Sequence, residues 1–270
     1  LGALWGVGLV VLYHTQSLGH SDFRLALLVT LWAELGVTAL VAINMAATAV
    51  TREREDGTLD ILLTTPITPA AYLTGKLRGL IAYLLPMLGV PLGTLAIAGG
   101  YVALGGLERT GGVTLTQAIG AGNFALPVVA PEAALIAPLV VIPFIAFCVI
   151  IGLSWSLKSK GTLGAVVATV GVVGVVAGIV GLCGWRAGTD LPVLGPALAA
   201  LNPATLMYAL VDPGNAMIST ITGSGPASAR LALAVGAIVA GAIYVGVVYG
   251  VHANMVRTFD MTVRALAGNK

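Results

Sequence analysis

The sequence predicts an all-α integral membrane protein, a helical bundle of six spans of which the first is truncated. Three observations carry that prediction. Of 270 residues 58% are hydrophobic and 9% charged, against roughly 25% charged in an ordinary soluble domain, and the mean hydropathy is +1.00. The apolar residues gather in uninterrupted runs, several reaching the roughly 20 residues a helix needs to cross hydrocarbon. Between two of those runs sits one compact polar island, with Arg52, Glu53, Arg54, Glu55, Asp56 and Asp60 crowded into nine residues.

The elements follow in order. Residues 1–13 are apolar but, as a helix, only about 20 Å long. They read as the outer part of a first span rather than a signal peptide, since no basic leader or small-residue cleavage site accompanies them. Residues 14–24 form a polar loop, and 25–50 a second span interrupted by Glu34 and Asn44. The island and its exit occupy 51–76. A third span, 77–104, carries Pro86 and Pro91. A Gly- and Thr-rich loop with room for short structure leads to a fourth span, 133–155, with Pro138 and Pro143. These prolines each remove a helical backbone bond and predict kinks, as hinges or as packing geometry.

After a brief turn with Lys158 and Lys160, residues 162–185 form a fifth span of Val, Gly, Ala and Ile. A Pro-rich connection, 186–230, precedes the sixth span at 231–252 and a basic tail. Within that connection, Asn202-Pro203 predicts the start of a short helix. Backbone groups in hydrocarbon must be satisfied within the segment, so the runs are helices. Their valines do not alternate with polar residues as barrel strands do.

Orientation follows from Lys and Arg. Nine (Arg52, Arg54, Lys76, Arg78, Lys158, Lys160, Arg257, Arg264, Lys270) fall on the side of the island and tail, and four (Arg24, Arg109, Arg186, Arg230) on the other. This predicts a multi-pass protein of the cell (inner) membrane with both termini cytoplasmic. Gly89-x-x-x-Gly93, Gly174-x-x-x-Gly178 and Gly246-x-x-x-Gly250 are small-residue faces of the kind that let membrane helices approach. They suit packing within one subunit, or a seam between two copies.

The island has its own logic. Gly57 can take a positive φ and stop the helix that emerges with Arg52–Asp56. Thr58 is placed to cap a new helix at Leu59, with Asp60 in its first turn where the dipole favours a negative charge. Leu59, Ile61, Leu62 and Leu63 make that helix apolar, Thr65-Pro66 ends it, and Thr68-Pro69 opens the next. Such a segment can rest on lipid headgroups, form a solvated turn, or fit a groove on a soluble partner.

The order Glu53, Arg54, Glu55, Gly57, Thr58, Leu59, Asp60, Leu62, Leu63, Pro66, Gly75, Lys76, placed after the second span, resembles the first cytoplasmic loop of ABC type 2 transporter permeases. The match covers about 26 residues; beyond it, only topology and the long last external connection agree. The resemblance implies a permease subunit of an ABC exporter whose coupling helix, between spans two and three, grips an ABC ATPase subunit. It further implies a second permease copy, identical or related, and short external helices before the last span that form a lid. Lys76 and Arg78 also suit anchoring near anionic lipid.

Other signals are sparser. Glu34 is costly in mid-span and a candidate for substrate or ion contact, or a carboxyl neutralised or hydrogen-bonded by its neighbours. Asn44 suits an interhelical hydrogen bond. His14, His20 and His252 are dispersed, Cys148 and Cys183 lie in apolar runs, and no metal or redox site is predicted. The net charge of +2 gives no reason to expect nucleic acid. Gly75-Lys76 lacks the earlier glycine and the hydroxyl of a phosphate loop, and no catalytic constellation is visible. The chain is therefore expected to hold no cofactor, with ATP and Mg bound by the partner. The alternatives are a membrane scaffold or sensor docking a partner through the same island, or a secondary transporter, for which an internal repeat is expected and not seen.

Overall fold

A computed structural model describes residues 2–57, 68–119 and 122–267, the side chains of 3, 260 and 262–267 excepted. The elements are α1 (Gly2–His14), α2 (His20–Thr48), α3 (Thr51–Glu55), α4 (Pro69–Ala103), β1 (Thr114–Ile119), β2 (Gly122–Pro127), α5 (Ala133–Lys158) and α6 (Thr162–Asp190). The short helices α7 (Leu194–Ala199), α8 (Pro203–Val211), α9 (Pro213–Ala216) and α10 (Ile218–Ser224) precede the long α11 (Pro226–Ala267).

Among the described residues five helical stretches are long and apolar enough to cross a membrane: His20–Glu55, Pro69–Ala103, Ala133–Lys158, Thr162–Asp190 and Pro226–Phe259. The chain is a multi-pass membrane protein. The first helix, α1, has 13 residues, short of the roughly 20 that span a bilayer.

Each long helix extends past an edge of the apolar run that announces it, α4 and α11 furthest. Helix α4 starts eight residues before Leu77, because Thr68 and Pro69 open it: Thr68 Oγ1 accepts from the Ala71 N–H at 3.3 Å, and Pro69 sacrifices no helical bond at that position. Helix α11 continues beyond His252 to Ala267. Its basic tail carries Ala, Met and Arg repeatedly, all good helix formers.

The chain folds as two compact units. One comprises residues 1–36, 88–142 and 177–242. Its anchor is Arg24, almost wholly buried at 6% exposure. The guanidinium donates to Val128 O (2.7 Å) and Pro127 O (3.0 Å) and pairs with Asp212 Oδ1 (3.1 Å). This ties the start of α2 to the end of an antiparallel hairpin, β1–β2, registered from Thr114↔Pro127 to Ile119↔Gly122. Ala130 N–H continues the connection to Leu210 O at 2.8 Å. Asn202 caps α8 by accepting from Ala204 N–H at 2.8 Å, while its amide donates to Ala177 O at 2.7 Å. Trp185 stacks on Tyr208, ring centroids 4.5 Å apart. Glu132 receives Arg230 through both carboxylate oxygens, at 2.5 and 2.6 Å.

The other unit comprises residues 37–87, 143–176 and 243–270. Here α2 and α5 pack closely: a Cβ on Gly152 would stand 2.7 Å from Ala46 Cβ and 3.0 Å from Ala47 N. Without a hydrophobic drive in lipid, such small-residue contacts are how helices gain dispersion energy. Phe144, Phe147 and Tyr244 form an aromatic cluster with centroids 5.6–6.3 Å apart.

Among the described residues the three Gly-x-x-x-Gly faces make no close contact inside the chain. Apart from each helix's own backbone, no described atom lies within 4 Å of a Cβ built on Gly89, Gly93, Gly174, Gly178, Gly246 or Gly250. The tight glycines lie outside those motifs. A Cβ on Gly236 would meet Ala197 Cα at 2.4 Å, and one on Gly195 the Ala187 carbonyl oxygen at 2.3 Å. In a chain with 36 glycines, a four-residue spacing arises without a packing role.

Candidate functional site

The polar island is rooted where α2 gives way to α3. Helix α2 ends at Thr48 and α3 begins at Thr51, which leaves backbone N–H groups to satisfy. Ser156, completely buried in α5, accepts from Val50 N–H at 2.9 Å and Thr51 N–H at 3.0 Å. One hydroxyl thus holds the corner from which the island departs.

Beyond the exposed Arg52, the charged residues Glu53, Arg54 and Glu55 each reach a different helix. Glu53 turns to α4: Tyr72 OH donates to its Oε2 at 2.5 Å, and Lys76 Nζ donates to its Oε1. Lys76 also donates to Ala49 O at 3.0 Å, and so neutralises an orphan carbonyl at the end of α2. Arg54 turns to the end of α5. Its guanidinium donates to Ser159 O at 2.6 Å and Leu157 O at 3.0 Å, where the helix C-terminus presents unpaired carbonyls and a partial negative charge.

Glu55 turns to the start of α6. Its Oε1 accepts from Thr162 N–H at 3.1 Å and Thr162 Oγ1 at 2.6 Å, a carboxylate at a helix N-terminus, where the dipole favours it. Sign and direction agree at both helix ends. The sequence Glu-Arg-Glu lets three neighbouring side chains address three helices.

The island then leaves the root. Gly57 sits at φ +73°, the left-handed conformation that glycine takes without steric cost, while Arg52, Asp56 and Gly57 are exposed. Thr58, Leu59, Asp60, Leu62, Leu63 and Pro66 lie outside the described residues. On the return, α4 carries Tyr72, Gly75 and Lys76 in its first two turns. Gly75 is exposed, and a Cβ on it would meet nothing within 4 Å. A glycine inside a helix costs about 1 kcal/mol relative to alanine, and among the described residues no close contact requires it. The start of α4 is also held by α11: Tyr72 meets Phe259 edge-on with centroids 5.9 Å apart, and Thr74 Oγ1 lies 3.2 Å from His252 Nε2.

Of the sequence-predicted residues, the structure therefore brings Glu53 and Lys76 together and gives Arg54 and Glu55 partners that sequence reasoning missed. Those partners are the carbonyls of Ser159 and Leu157 for Arg54 and Thr162 for Glu55; Tyr72 on Glu53 and Ser156 at the corner were missed as well. Tyr72 and Lys76 stand one helical turn apart before the third run, a spacing that puts both on one face. The two intramembrane polar candidates part company. Glu34 is half-buried and accepts from Thr94 Oγ1 at 3.3 Å, whereas Asn44 is exposed and its carbonyl receives Thr48 Oγ1 at 2.9 Å. Among the described residues no three His, Cys, Asp or Glu side chains form a metal site.

A model of the family described as ABC-2 family transporter protein matches residues 33–261. The chain belongs to the ABC-2 transporter family. The match takes in the root of the island and nearly all of the long apolar helices. No curated protein matches the chain. As an ABC-2 permease domain, the molecule places its Glu-Arg-Glu segment at the join of the second apolar run with the polar loop, bonded to α4, α5 and α6.

Proposed function

We propose that this chain is the membrane subunit of an ABC exporter, moving its substrate with energy from ATP hydrolysed by a separate nucleotide-binding subunit. In this reading residues 51–76 are the coupling element. Leu59, Leu62 and Leu63 seat in a groove on the ATPase, with Asp60 and Thr58 at the rim. Glu53, Arg54 and Glu55 act behind them as tie points. A push on the loop when the ATPases close reaches α4 through Glu53, α5 through Arg54 and α6 through Glu55. Three helices then move as one response rather than one helix bending alone.

ATP and magnesium belong to the partner, and this chain supplies position and transmission. A second permease copy completes the transporter, and the open Gly-x-x-x-Gly faces leave room for close helix contact with it. The nine-to-four distribution of Lys and Arg supports cytoplasmic termini in an inner-membrane protein.

The observation that carries this reading is the spread of three consecutive charges over three helix ends. It is tested by co-expressing the chain with a candidate ABC ATPase subunit. Leu62→Ala with Leu63→Ala should sharply reduce recovery of the complex. Arg54→Ala should leave recovery intact and lower ATP turnover and transport together. Normal recovery of the leucine double variant would overturn the docking assignment. A stable complex without transport-linked ATP turnover in the unmodified protein would favour a scaffold or sensor instead.

A further inference from the structure

Helix α2 opens with His20, Ser21, Arg24 and Leu25 along one face, at the spacing that makes side chains neighbours on a helix. Within the first unit that face borders a pocket of about 500 Å³, inside the roughly 300–1,000 Å³ of small-molecule sites. Across from it stand β1, through Thr116 and Gln117, and the end of α8, through Tyr208 and Asp212.

The charges of this pocket are already matched. Arg24 and Asp212 pair at 3.1 Å, both largely buried. The guanidinium holds two backbone carbonyls besides, and Asn215 Nδ2 donates to Asp212 Oδ2 at 2.7 Å. A charged ligand of either sign would meet its like beside its opposite and would have to part a buried pair, which is costly.

The neutral groups are not matched. The hydroxyls of Ser21, Thr116 and Tyr208 have no hydrogen-bond partner among the described residues. His20 commits Nδ1 to Tyr13 OH at 2.7 Å, which leaves its other ring nitrogen. The Gln117 amide is seated where Gly214 makes room for it, since a Cβ on Gly214 would overlap Oε1. That oxygen is shut from solvent without a partner among the described residues, and Nε2 donates to none of them. Tyr208 is fixed by its stack on Trp185. An apolar occupant would cover these groups without bonding them. A ring bearing several hydroxyls can donate and accept at each, while its C–H face lies on Leu25 and Leu115.

We propose that this pocket binds a neutral saccharide, held by Ser21, Thr116, Gln117 and Tyr208 beside an ion pair that stays closed. This binding does not depend on the exporter role, because it is read without the ATPase.

The test uses the full chain in phosphatidylcholine nanodiscs, with protein-free discs subtracted, and saturation-transfer NMR of maltose, cellobiose, lactose, trehalose and diacetylchitobiose. At least one of these should bind saturably. Gln117→Leu, which keeps the bulk and drops the amide, should weaken that sugar by about tenfold or more. Ser21→Trp, at an exposed position, should fill the pocket and remove the signal while the size-exclusion profile is kept. Inorganic phosphate, the probe for an anion drawn to Arg24, should not compete. Saturable binding by none of the sugars, an unchanged affinity in Ser21→Trp, or displacement by phosphate would each overturn the proposal. Loss of ATPase recovery with sugar binding retained would count against the transporter reading alone.

Discussion

Glu55 Oε1 accepts both the backbone N–H and the hydroxyl of Thr162, at 3.1 and 2.6 Å, so a side chain of the polar loop serves as the N-terminal cap of α6. Caps are normally supplied by the residue just before the helix. Here the cap comes from 107 positions away, and the start of α6 is tied to the loop's position.

Removing that bond should separate assembly from transmission. Thr162→Ala and Glu55→Ala are each expected to keep recovery of the ATPase complex near normal while ATP-driven transport falls several-fold. Thr162→Ser, which keeps both donors, should retain activity. Parallel measurements of co-purification and transport check this.

Ser156→Ala should be costly for so small a change. It strips the acceptor from two N–H groups at a corner where Val50, Thr51 and Ser156 are all buried, at about 1–3 kcal/mol for each donor left unpaired. The expected result is a lower thermal midpoint in detergent, by several degrees.

Arg24 is a stronger case. Its pairing with Asp212 is mostly buried, with side-chain exposures of 7% and 17%. Arg24→Ala would leave a buried carboxylate unopposed, a loss of about 3–5 kcal/mol. Arg24→Lys should recover only part of it, because an ammonium lacks the planar fork that meets two carbonyls and a carboxylate together. Thermal unfolding of both variants, with Asp212→Asn as the partner arm of a double-mutant cycle, gives the comparison.

Glycines should sort by contact and not by motif. Gly236→Val drives side-chain carbons into the backbone of Ala197 and should abolish folded yield. Gly246→Ala, on an open face, should leave the yield of the chain unchanged, as read by size-exclusion profile after expression.

Local rules were legible in the sequence wherever one or two residues decide a backbone state. Gly57 takes its positive φ, Thr68 and Pro69 open α4, and Asn202 with Pro203 opens α8. What escaped was set by partners distant along the chain. Arg24 reads as a loop cation until Pro127, Val128 and Asp212 surround it. The hairpin of β1 and β2 has a burial pattern that alternates, but its Gly- and Thr-rich sequence resembles a plain loop, and part of what holds it is that same arginine. Ser156, between Trp155 and Leu157, looks like one more small residue of an apolar run. Glu53, Arg54 and Glu55 stood out as charged, yet charge alone does not say whether a side chain faces another protein or its own helices. The Gly-x-x-x-Gly faces erred in the opposite direction, since spacing says where helices can approach and not where they do.

Tyr72 has two obligations: its hydroxyl serves Glu53 and its ring edge meets Phe259 near the far end of α11. A sideways pull on the last turns of α11 therefore reaches the carboxylate that fastens the loop. Under the coupling role proposed above, bulky fusions at that end would load the transmission itself, and a small environment-sensitive dye there would report its strokes.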